Sequence, residues 1–96
     1  MLMHASECDH QSMKPSKTLG HILAGSKNIR FADFVRLVET FGFRLSRIDG
    51  SHHIFTHPDI RELVNLQNVH GQAKPYQIRQ FLSLVETYNL RISDET

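Results

Sequence analysis

The sequence predicts an α+β domain in which a helix, three antiparallel strands and a second helix follow one another along the chain. Three observations carry this expectation. Phe31, Phe34, Val35 and Val38 recur at the i, i+3, i+4, i+7 spacing of one helix face. From Phe43 the apolar period shortens to two, and the chain then passes Asp49-Gly50, a hairpin signal, and Pro58-Asp59, a second break. Beyond Pro75 the helical spacing returns in Ile78, Phe81, Leu82, Val85 and Tyr88. Such an order places both helices on one face of the sheet and leaves the other face open.

Each element has its own local reason. Met1 to Ser16 is polar, lacks periodicity and contains Pro15, so it is read as a mobile leader to a single domain over residues 17–96. Leu19, Ile22 and Leu23 give a short extra N-terminal helix, with Ser16 or Thr18 as N-cap and Gly25 as its stop. The clearer helix covers residues 30–41 and ends at Gly42, where a left-handed residue is wanted. Residues 43–48 form a strand with Phe43 and Leu45 on one face and Arg44 and Ser46 on the other. Asp49-Gly50 suits a type I′ turn into the strand His52 to His57. A third strand, residues 62–67, contains Leu63, Val64 and Leu66. After a loop at 68–73, Pro75 sits in the first turn of the closing helix and Asn89 ends it.

Ninety-six residues with 40% hydrophobic content can bury one modest core and leave no room for a large enclosed active site. The net charge of +1 hides an asymmetry. Residues 14–57 carry seven basic and three acidic side chains, whereas residues 58–96 carry four and five. A moderately basic face of this kind attracts polyanions, although solvated surface charge accounts for it equally well. Cys8 is the only cysteine, which excludes an internal disulfide, and no apolar run suits export or membrane insertion. The expected compartment is the cytoplasm.

Gly50-Ser51-His52-His53-Ile54-Phe55 places two imidazoles at the start of a strand, directly after a tight turn. Imidazole is the side chain best suited to moving protons near neutral pH. Metal binding fits poorly here, because adjacent strand residues point to opposite faces and separate His52 from His53. His53 and His57 share a face but lie about 13 Å apart along a strand, too far for ligands each about 2 Å from one ion. His4, Cys8 and His10 in the leader lack a fourth ligand and an ordering framework. No metal or other cofactor is expected. An acid–base role needs only one well-placed imidazole. If His53 packs with Phe55, His52 is the exposed candidate, against the plain alternative that each histidine is structural. Ser51 reads as a turn residue, since no Asp or Glu stands beside the histidines in sequence to complete a nucleophilic triad.

The stretch Phe41-Gly42-Phe43, the basic strand, Gly50-Ser51-His52-His53-Ile54-Phe55-Thr56-His57-Pro58 and the loop His70-Gly71-Gln72-Ala73-Lys74-Pro75 resemble the HicA family of toxin ribonucleases. The resemblance covers about residues 28–90, and glycine-serine-histidine is its most specific part. It implies a double-stranded RNA-binding-domain-like fold of order α-β-β-β-α, in agreement with the order read from periodicity. It implies an mRNA-cleaving toxin neutralised by a HicB-type antitoxin, with His52 as the key residue and Gly50 and Ser51 as the turn that presents it. Where the family commonly has a proline-bearing third strand before a histidine, glycine and lysine loop, this chain reads Val64-Asn65-Leu66-Gln67-Asn68-Val69. His70, Gly71 and Lys74 keep the character of the loop.

The expected reaction is metal-independent: His52 takes the proton of a ribose 2′-hydroxyl, and Lys74, Arg47 or His70 stabilises charge on the phosphate. A non-catalytic RNA-binding module is a competing reading, disfavoured by the lack of a lysine cluster where the last helix begins at Lys74-Pro75-Tyr76-Gln77-Ile78. A degraded toxin kept as an antitoxin-binding module is a third.

Overall fold

The computed structural model describes residues 14–92. In chain order they form α1 (Pro15–Leu23), α2 (Phe31–Thr40), β1 (Arg44–Asp49), β2 (His52–His57), β3 (Ile60–Gln67) and α3 (Pro75–Thr87). The strands make one antiparallel sheet in the order β1-β2-β3, so α2 through α3 have the α-β-β-β-α arrangement of a double-stranded RNA-binding domain. Among the described residues no helix is long and apolar enough to cross a membrane.

The core lies on one side of the sheet. Phe34, Leu37 and Val38 of α2, Phe55 of β2, Val64 and Leu66 of β3, and Ile78 and Phe81 of α3 are buried in a single cluster. Phe81 is its centre, edge-on to Phe34, Phe41 and Phe43 with ring centroids 5.5 Å apart in each case, a geometry that aligns ring edges with ring faces. Register sorts the strand residues. His53 opposite Leu66 and Phe55 opposite Val64 face the helices, whereas His52 opposite Gln67 and Ile54 opposite Asn65 face away. Ile54 is buried yet lies outside the core cluster, as expected for the outer face.

Several local details depart from the sequence reading. Helix α1 begins at Pro15, so Pro15 and Ser16 belong to it rather than to the leader; the fixed φ of proline suits a first turn. Its N-cap is Lys14, without a side-chain cap bond, while Thr18 is buried. Leu19 and Ile22 pack on the core but Leu23 is 71% exposed. In β1 the register shifts between Leu45 and Arg47, a bulge that breaks the simple alternation; Phe43 is buried just before the strand, while Leu45 is 43% exposed. The hairpin turn is Gly50-Ser51, between the paired Asp49 and His52. Gly50 has φ +64 and Ser51 is not among the residues of positive φ, which is the requirement of a II′ turn rather than I′. Strand β3 starts at Ile60, two residues earlier than its apolar run suggests. At the far end the Tyr88 hydroxyl donates to Glu62 at 2.6 Å, holding that carboxyl below its usual range and the Tyr88 hydroxyl above its own.

Gly42 ends α2 as anticipated, with φ +102. A Cβ there would lie 2.9 Å from Nε2 of His57, a ring fixed by Phe43 and by the Asp59 amide. Gly42→Ala is expected to cost about 1–3 kcal/mol through backbone strain and this overlap, read as a lower urea midpoint at unchanged slope.

Candidate active site

The II′ turn delivers His52 to the exposed outer face at the first position of β2. Its Nδ1 lies 3.0 Å from Oδ1 of Asn65, a residue on the same face of β3 and two positions from Gln67, the direct partner of His52. An amide oxygen only accepts, so Nδ1 carries the hydrogen, and the Nε2 lone pair of the neutral ring is left free. That is the tautomer a general base needs. Nothing in the local sequence marks Asn65, which stands 13 residues from His52; only the register of β2 on β3 brings the two together.

The turn is tied to the end of β3. The Asn68 amide donates to the carbonyl of Ser51 at 3.0 Å, and Nε2 of Gln67 lies 3.5 Å from Oγ of Ser51. Gln67 is itself held from the helical side, because its amide donates to Oε1 of buried Gln77 on α3 at 3.0 Å. Ser51 therefore serves the turn, as its sequence context suggests.

The other histidines separate by face. His53 faces the helices, with its ring edge-on to Phe31 at 4.9 Å and Nδ1 buried without a hydrogen-bond partner. His57 rests on Phe43 at 5.0 Å, and its Nδ1 accepts the Asp59 amide at 3.0 Å. Both are packing residues. His70 is exposed with φ +53 in the loop after β3. That loop is fastened by the Gly71 amide on Oδ1 of Asn68 at 2.7 Å, and by the Phe31 amide on the Gly71 carbonyl at 2.8 Å. Lys74 follows as the N-cap of α3, with Nζ 5.8 Å from the centre of the Tyr76 ring. The hydrogen bond from Asn68 to Ser51 thus sets the start of the His70 loop beside the turn that bears His52. Neither His70 nor Lys74 is hydrogen-bonded to His52. Arg47 pairs with Ile54 and so shares the outer face with His52.

Among the described residues no group of three or more His, Cys, Asp or Glu side chains is placed to hold a metal ion. His4, Cys8 and His10 lie outside the described residues.

No curated protein and no solved structure matches the chain. The family model described as the HicA toxin of bacterial toxin–antitoxin systems matches residues 31–86. That span runs from the first residue of α2 to the last turn of α3 and takes in the turn, His52 and Asn65. With more than half of its length matched, this chain belongs to the HicA toxin family.

Proposed function

We propose that the protein is a metal-independent endoribonuclease that cleaves mRNA in the cytoplasm and is neutralised by a HicB-type antitoxin. The observation that carries this reading is the hydrogen bond from Nδ1 of His52 to Asn65, which leaves Nε2 as a free base on an exposed face. In the proposed reaction Nε2 takes the proton from a ribose 2′-hydroxyl. The 2′-oxygen then bonds to the adjacent phosphorus as the bond from phosphorus to the 5′-oxygen breaks. The departing oxygen takes a proton from the imidazolium or from water, giving a 2′,3′-cyclic phosphate and a 5′-hydroxyl. Charge gathering on the phosphate oxygens is met by His70 or Lys74, as fixed cations do in phosphoryl transfer. DNA is inert because it lacks the nucleophile.

An inhibitor of so shallow a site must cover it, so the antitoxin is expected to lay acidic or apolar groups over the outer face around His52. The reading is tested by incubating the purified chain with a single-stranded transcript in excess chelator. Cleavage to cyclic-phosphate ends, absent on a DNA strand of the same sequence, supports it. Intact RNA with a folded protein rejects it.

A further inference from the structure

Arg44 and Arg47 are three residues apart, so in a regular strand they would face opposite sides of the sheet. The bulge in β1 changes this. Arg44 pairs with Thr56 and Arg47 with Ile54, so both stand opposite outer-face residues of β2, the set to which His52 belongs. Their partners are two residues apart, which separates the two arginines by roughly 6–7 Å along the sheet, the interval between neighbouring phosphates of an extended single strand. Both are exposed, and neither is in an ion pair with any described residue. Asp49 is the acidic residue of β1 on this face, and it stands opposite His52 at the turn, where it disfavours a phosphate path off that edge.

At the far end the row of cations meets a shallow hollow of about 440 Å³, lined by Gly42, Arg44, Thr56, His57 and Pro58. Arg44 and Thr56 bring to this hollow a guanidinium and a hydroxyl, both able to donate hydrogen bonds.

Resting on the nuclease reading above, we propose that Arg47, Arg44 and this hollow form an extended subsite for single-stranded RNA. It holds two phosphates beyond the scissile one on the side away from the hairpin turn. The subsite reads the backbone rather than the bases, since Arg47 and Arg44 offer charge and the outer face there carries Ile54 and Thr56 in place of an aromatic platform.

The test uses Arg44→Gln, Arg47→Gln and the double variant of the full chain, each first checked for an unchanged circular dichroism spectrum. Binding of a twelve-nucleotide single-stranded RNA is measured against salt in a His52→Ala background, which keeps the RNA intact. Each lost phosphate contact flattens the log–log salt slope by about 0.7, so the double variant is expected to lose about 1.4. With His52 restored, kcat/KM on a long RNA is expected to fall roughly tenfold in Arg44→Gln, while that variant cleaves a dinucleotide at the unaltered rate. An unchanged slope in the double variant overturns the subsite even where the wild type cleaves strongly. Equal losses on the dinucleotide and the long RNA in Arg44→Gln overturn it as well, as does absence of RNA binding by the folded wild type. A flattened slope in a protein that fails to cleave sustains the subsite and rejects only the nuclease.

Discussion

His52→Ala is expected to lower RNA cleavage by about 10²–10⁴-fold, the usual worth of a positioned general base, while leaving the fold intact. The two halves of this expectation have separate causes. The side chain is exposed and its hydrogen bond to Asn65 lies on the surface, so stability should change by no more than about 0.5 kcal/mol. The chemistry, by contrast, loses a group that combines a free lone pair with a tautomer fixed by Asn65. His53→Ala is the informative companion. That ring packs edge-on to Phe31 beside the core, so its removal lowers the unfolding midpoint and lowers cleavage only as far as the folded fraction falls. Initial rates on one transcript, with chelator present and melting curves measured in parallel, separate the two effects. A folded His52→Ala protein that cleaves at the wild-type rate would end the proposal that His52 is the base.

The sequence discloses those parts of this molecule that depend on neighbours along the chain. Phe31, Phe34 and Val38 mark α2 by spacing and prove buried, and Gly42 marks its end because only a residue tolerant of positive φ fits there. The exposure of His52 and the packing of His53 follow from alternation once Phe55 is taken as core. What depends on pairing across strands is not disclosed. Ser46 carries no sign that a bulge will set Arg44 and Arg47 on one face, because the bulge is a property of two strands in register. The turn slips by one residue for a related reason: Asp49-Gly50 and Gly50-Ser51 both contain the glycine, and the pairing of Asp49 with His52 selects the second. Asn65 is the costliest omission. In sequence it is one polar residue among apolar strand positions, and only folding shows that it faces the imidazole.

Asn65 consequently supplies the strongest check on how the site works. If its amide oxygen holds the hydrogen on Nδ1, removing the acceptor frees the ring to exchange tautomers and to turn on its bond. Asn65→Leu is then expected to reduce kcat by about 10–100-fold, the scale on which metal-bound histidines respond to loss of the partner that fixes their tautomer, with little change in KM. Asn65 is exposed, so the fold should survive the substitution, and a melting curve verifies it. Asn65→Asp gives the readout that a merely structural role would not produce. A carboxylate accepts the same hydrogen but also favours the charged imidazolium. Because the base must be neutral to take a proton, the acid limb of the rate profile should move to higher pH, with the rate recovering toward wild type on the alkaline side. Asn65→Leu should instead lower the whole profile without displacing it. Identical profiles for the aspartate variant and the wild type would mean that the amide does not govern the ring, and that the orientation of His52 is set by the turn alone.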